Sequence, residues 1–241
     1  MEDRLYNVIH EEPYNHLECE AFLKKADPAL FARLEQETVC APYDLVREYG
    51  LDCIYAYIKQ EGAGASFNED AIYGIFRFLG RIWRLFRGRD TWKKEENCSP
   101  LFRARAAKAL RGLESRHMHV YTGALVSMAA LLQKEGFTEK EKTVFLSILE
   151  KSAPCLAGCL LASGEERENL RDLLSGSPVM AELAVQMEGR TRTRILLPED
   201  SPKEKAEETA AGALRSLGCE TEGQEVLYVP GRIINFFSRR P

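Results

Sequence analysis

The sequence predicts a mainly α fold, an antiparallel multi-helix bundle over residues 1–188 carrying a small C-terminal β-α-β-β appendage over residues 189–241. Three observations predict it. Ser/Thr-x-x-Glu capping boxes recur before Gly189, apolar residues there return at helical spacing, and after Gly189 the pattern changes to alternation. A chain of 241 residues exceeds the usual size of one domain, so a main domain with a smaller attachment is a natural solution. An appendage of about fifty residues makes a marginal core and is expected to dock on the helical body.

Taken in order, Asp27-Pro28 offers an N-cap followed by a proline at the first helical position, and Pro42 opens the next candidate. Gly50 interrupts that helix before Leu51 to Gln60. Ser66 with Glu69 forms a capping box in front of Ala71 to Arg87, and Thr138 with Glu141 and Ser163 with Glu166 repeat it. Ser99-Pro100 and Ser177-Pro178 mark two further helix starts, while Gly136 is a C-terminal stop. Tyr121, Ala124, Leu125, Met128, Ala129 and Leu132 fall on one helical face, as do Phe145, Ile148 and Leu149. Beyond Gly189, Arg190 to Leu197 is a strand with Arg190, Arg192 and Arg194 on one face. Ser201-Pro202-Lys203-Glu204 opens a helix to about Leu217, and Val226 to Val229 and Arg232 to Phe237 flank Pro230-Gly231 as short strands.

Charge is the one functional signal. Between Arg77 and Arg116 the chain holds twelve Lys or Arg against four acids, a net of +8, although the whole chain carries −4 with a pI near 5.8. Charge this segregated gives a surface a sign. Arg77, Arg81 and Arg84 lie on one stripe of the Ala71–Arg87 helix. Arg105, Lys108, Arg111 and Arg116 share the polar half of the next, and Trp92 lies in the charged loop between them. These eight residues are the candidate binding set, and Arg81, Arg84, Arg105 and Lys108 are expected to be exposed. Such a face is also explained by solvation or by pairing with acids such as Glu18 and Glu20. Trp83, on an apolar flank, is expected in the core.

The acidic pI weighs against a dedicated nucleic-acid binder. The sequence therefore favours a non-catalytic, cytoplasmic helical adaptor that uses the Arg77–Arg116 helices to contact an acidic protein partner. A nucleic-acid-binding module on the same surface, joined by Arg190, Arg192 and Arg194, is the second reading. An enzyme acting on a phosphorylated or carboxylated small molecule in an inter-helix pocket is the third.

Catalytic and metal signals are weak. Gly62-Ala63-Gly64-Ala65-Ser66 does not complete a G-x-G-x-x-G, because Phe67 holds the third glycine position. The seven cysteines form no paired zinc spacing, and Cys155 and Cys159 read as small buried hydrophobes. His117 and His119 are two apart and, on a helix, point away from each other; His10 and His16 read as part of a solvated N-terminal segment. No Gly-x-Ser-x-Gly elbow occurs, so no cofactor, no metal and no catalytic residue is expected. The longest uncharged stretches are shorter than the roughly 20 apolar residues a membrane span needs, so no membrane contact is expected.

Overall fold

The computed structural model describes residues 14–62, 66–87, 97–161 and 180–238. The described part is mostly helical, with ten helices and one small mixed sheet among these residues. It divides into two compact units, Met1–Cys98 with Lys108–Leu170, and Ser99–Ala107 with Arg171–Pro241. No helix among the described residues is long and apolar enough to cross a membrane.

Among the described residues nine helices precede the sheet: α1 (His16–Ala26), α2 (Pro28–Thr38), α3 (Tyr43–Tyr49), α4 (Leu51–Glu61), α5 (Glu69–Arg87), α6 (Pro100–Glu114), α7 (Met118–Glu135), α8 (Glu139–Leu149) and α9 (Pro154–Leu160). Their ends follow local chemistry. Asp27 accepts from the Leu30 amide, with Pro28 at the first position of α2. Thr138 and Glu141 complete a reciprocal capping box on α8. Ser99 accepts from Phe102 N at the start of α6. Gly50, at φ +82°, separates α3 from α4, and Gly136, at φ +75°, ends α7. The start of α5 differs from the expected Ser66 box, because Asn68 supplies the cap oxygen to Ala71 N. Asn is as good a cap as Ser and stands directly before the first helical residue. The Ser163–Glu166 and Ser177-Pro178 signals lie outside the described residues. His16 opens α1 half-buried, with Nδ1 3.6 Å from Glu20, where a solvated segment was expected.

The core of the first unit is built from the apolar faces of these helices. Ile54, Ile72, Leu79, Ile82, Met128 and Leu132 are almost wholly buried, and Phe86 meets Phe137 and Phe145 with ring centroids 5.0 and 5.6 Å apart. Trp83 is buried as expected. Gly112 lets α6 and α7 approach closely, since a Cβ there would lie 2.7 Å from the Tyr121 nitrogen. At the same turn His117 N donates to Gly112 O and Arg116 stands at φ +57°, the left-handed position where helices usually end on glycine.

Asp52, within α4 and 1% exposed, is the polar centre of the unit. Its carboxylate accepts from Cys155 N at 3.0 Å, Leu156 N at 2.7 Å and the Tyr14 hydroxyl at 3.2 Å. Helix α9 has Ala153 at its N-cap and no side-chain cap of its own, so Asp52 serves that purpose across 103 residues.

The second unit holds β1 (Met180–Met187), β2 (Arg190–Pro198), α10 (Lys203–Ser216), β3 (Glu225–Val229) and β4 (Ile233–Phe237). The sheet order is β2-β1-β4-β3, with β1 antiparallel to β2 and parallel to β4, and β3 antiparallel to β4. The observed succession is thus β-β-α-β-β. Strand β1 falls where helix was expected, because Met, Ala, Glu, Leu and Gln favour helices and the Ser-Pro before them resembles a helix start. Tertiary context overrides that propensity. Ala181, Leu183 and Val185 alternate inward, and β1 is hydrogen-bonded on both sides. Glu188 (φ +50°) and Gly189 (φ +75°) form the two-residue turn into β2. Ala206, Ala210 and Leu214 of α10 pack with Leu183, Val185, Ile234 and Phe236 in this core. Pro202 is the N-cap of α10, and Ser201 makes no cap bond.

Burial pushes the Asp52 carboxyl up to about 6, against hydrogen bonds from Leu156, Cys155 and Tyr14 that pull it down. A folded-state value above the ordinary one means that this group's contribution to stability is fully present below about pH 4 and is lost as pH rises through about 6. With about two units of difference, that loss is about 3 kcal/mol. Urea unfolding followed by circular dichroism should show it as a fall that the Asp52→Asn variant lacks; identical slopes in the two proteins would disprove the assignment. Gly112→Ala should cost about 2–4 kcal/mol by overpacking against Tyr121, whereas Arg116→Gly should raise stability by up to about 1 kcal/mol by relieving the left-handed conformation. Melting temperatures of the two variants check both signs.

Candidate nucleic-acid interface

The basic segment occupies two helices and is used in two physical ways. On α5 the amphipathic spacing that buries Leu79, Ile82 and Phe86 turns Arg77 and Arg84 to solvent. Arg77 lies over the Tyr73 ring, 5.9 Å from its centroid. Arg81, expected to be exposed, is half-buried, with its guanidinium 5.5 Å from the Phe78 centroid and its Nε buried without a hydrogen bond among the described residues. At the helix end Arg87 lies 4.0 Å over the Trp83 ring and pairs with Glu18. One of the acids named from the sequence as a possible internal partner is therefore used as one.

On α6 the apolar face of Phe102, Ala106 and Ala109 leaves Lys108 and Arg111 exposed, and Arg116 is exposed on the turn that follows. Arg105 departs from expectation. Its Nη2 and Nε donate to the two carboxylate oxygens of Glu182 at 2.9 and 3.3 Å, and both side chains are about 15% exposed. Arg194 adds a longer contact to the same carboxylate at 3.6 Å. A guanidinium fork matched to a carboxylate serves packing within its unit. Glu182 could not be foreseen as its partner while β1 was expected to be helix.

Arg190, Arg192 and Arg194 are all exposed on β2, an edge strand of the sheet. A row of arginines suits such an edge, since charge discourages strand addition while offering donors to an anion. Trp92 lies outside the described residues. His117 and His119 also differ from expectation. His117 is the non-helical N-cap of α7, so the two rings come together with centroids 5.8 Å apart. Among the described residues no group of three or more His, Cys, Asp or Glu side chains is arranged to hold a metal ion.

The exposed set is therefore Arg77, Arg84, Lys108, Arg111, Arg116 and the three β2 arginines. Its chemistry is that of repeated, solvent-exposed cations, which is how proteins contact a phosphate backbone.

No protein-family profile matches the chain. The chain is similar to the leucine–tRNA ligase of Dehalococcoides mccartyi, with 25% identity over 225 residues that cover 82% of this chain and 27% of that protein. It is similar to the leucine–tRNA ligase of Treponema pallidum at 25% identity over 266 residues, covering 95% of this chain and 29% of the relative. The chain thus spans less than a third of the length of these curated relatives. Among solved structures it matches a leucyl-tRNA synthetase, agnB2 of Agrobacterium radiobacter K84 in a ternary complex with tRNA and LeuAMS. That match has a TM-score of 0.49 and 19% identity, over 82% of this chain and 30% of that one.

These relatives overturn the expectation of a non-catalytic adaptor for an acidic protein partner. The proteins this chain resembles over most of its length are tRNA ligases.

The Arg105–Glu182 pair yields a prediction. A double-mutant cycle with Arg105→Gln and Glu182→Gln should return a coupling energy of about 1–3 kcal/mol in urea unfolding. Additivity within about 0.3 kcal/mol would show that the fork contributes nothing specific.

Proposed function

We propose that this chain is a tRNA-binding part of a leucine–tRNA ligase, gripping the tRNA backbone through exposed cations, with amino-acid ligation dependent on further polypeptide. The observation that carries this reading is similarity to leucine–tRNA ligases along 82 to 95% of the chain. The exposed arginines and lysines of α5, α6 and β2 supply the required chemistry, since phosphate neutralisation accounts for most sequence-independent affinity. Within this reading the helical part and the C-terminal sheet-bearing part act as two binding modules. Arg77, Arg84, Lys108, Arg111 and Arg116 serve the first, and Arg190, Arg192 and Arg194 serve the second. Arg81 and Arg105 hold the framework, the one packed on Phe78 and the other forked onto Glu182.

Fluorescence anisotropy with a labelled leucine tRNA transcript tests the proposal. Affinity should fall log-linearly with salt. The quadruple variant Arg77→Glu, Arg84→Glu, Lys108→Glu, Arg116→Glu should bind at least about tenfold more weakly, with a slope shallower by about three for the lost phosphate contacts. Absence of wild-type binding at about 0.1 M salt, or equal binding by a folded quadruple variant, would overturn it.

A further inference from the structure

Helix α9 packs against α1. Cys155, Gly158 and Cys159 recur along α9 at the i, i+3, i+4 spacing of one face. Gly158 faces Phe22 and Leu23 of α1, since a Cβ there would lie 3.8 Å from a side-chain carbon of each. Cys19 stands three and four positions before those residues, so it shares their face of α1, and it is wholly buried. This packing brings two sulfurs together. The Cys19 S–H donates to the Cys159 sulfur, although the two residues are remote in sequence.

The two thiols are not equivalent. Cys159, expected to be a small buried hydrophobe, is only half-buried, whereas Cys19 is sealed in the core. The Arg87 guanidinium, which pairs with Glu18 and lies over Trp83, also hydrogen-bonds the Cys159 sulfur. The Cys19 hydrogen bond and then the Arg87 charge hold the Cys159 thiol below its ordinary value, against partial burial and the Glu18 carboxylate. Donation to Cys159 and burial push the Cys19 thiol up, so it stays protonated. One sulfur is therefore accessible and nucleophilic, and the other is a protonated thiol in contact with it. An accessible, activated thiol beside a second thiol is the arrangement of a cysteine that senses oxidants and its resolving partner.

We infer that Cys159 and Cys19 are a reversible dithiol–disulfide pair, in which a peroxide oxidises Cys159 and Cys19 then closes the bond that ties α1 to α9. In the first step the Cys159 thiolate attacks an oxygen of hydrogen peroxide. The O–O bond breaks, the sulfur is oxidised to a sulfenic acid and hydroxide leaves. In the second step the Cys19 sulfur attacks the Cys159 sulfur. The S–O bond breaks, and the departing hydroxide takes the Cys19 proton to form water. Two thiols are oxidised and the peroxide is reduced to water; a dithiol reductant reverses the bond by exchange. The bond secures the C-terminal end of α9, whose first turn Asp52 already holds, and it closes a long loop, where a cross-link constrains the unfolded chain most.

The test treats the reduced full chain with a few equivalents of hydrogen peroxide. Free thiols should fall by two from the seven present, and non-reducing peptide mapping should recover Cys19 joined to Cys159. The melting temperature should rise by about 5–10 °C until dithiothreitol restores it. In Cys19→Ala the reaction should stop at a Cys159 sulfenic acid that dimedone captures, with no rise in melting temperature. If that core variant does not fold, Cys159→Ser at the half-buried position should leave Cys19 reduced under the same treatment. Exposure alone would favour Cys40, which is more exposed than Cys159. Peroxide modifying Cys40 ahead of Cys159 in the wild-type chain would therefore overturn the inference. So would passage of Cys159 to sulfinic acid without a cross-link, or a disulfide that joins any other pair.

Discussion

The helical unit depends on one buried carboxylate. Asp52 joins three segments remote in sequence, because Tyr14, the body of α4 and the first turn of α9 all converge on its two oxygens. Taking an ionised carboxylate out of water is costly, which is why burial raises its proton affinity. Two amide donors at a helix start and a hydroxyl offset part of that cost, and they also satisfy α9 donors that would otherwise be buried and unpaired. Helix α9 in turn packs on α1 and α5, and α1 places Glu18 beside Arg87 at the end of the basic stripe. The geometry of the charged surface thus traces back to a neutral-looking internal contact.

The arginines divide by what lies beside them. Where an aromatic ring or a carboxylate is at hand, as for Arg81 on Phe78, Arg87 on Trp83 and Glu18, and Arg105 on Glu182, the guanidinium becomes part of the packing. Other cations stay in solvent, Arg77 among them although it lies over the Tyr73 ring. Lys108 and Arg116 illustrate the second case at the α6–α7 turn. There Arg116 occupies a left-handed position that glycine would fill with less strain.

Much of the architecture was legible because it is written locally. The Thr138–Glu141 box, the Asp27-Pro28 start and the Gly136 stop each act within one helical turn, and the structure shows all three. Features that depend on distant partners were not legible. Strand β1 has the composition of a helix and becomes a strand only because β2 and β4 pair with it. Arg105 looked exposed on a helical wheel because the wheel contains no Glu182. His117 and His119 seemed to diverge because a helical geometry was assumed for both, whereas His117 stands outside the helix as its cap. The Cys19–Cys159 contact drew no signal at all, since the two thiols are far apart in sequence and meet only because α9 packs on α1.

The proposed tRNA partner is compatible with an acidic chain for a physical reason that extends beyond this protein. At physiological ionic strength the Debye length is about 8 Å, so a phosphate at the surface responds to charges within about that distance and scarcely to the sum over the molecule. Arg77 and Arg84 are seven residues apart on one helix, about 10 Å at 1.5 Å per residue, so a polyanion following α5 passes from one cation into the field of the next. The acids that bring the whole chain to −4 are mostly elsewhere in the sequence, with the Arg77–Arg116 segment itself at +8. Acids distant in space are screened at contact range and act chiefly to disfavour approach from other directions. An acidic pI and a polyanionic ligand are therefore compatible whenever charge is segregated. Segregation, rather than net charge, is the sequence property that bears on the partner.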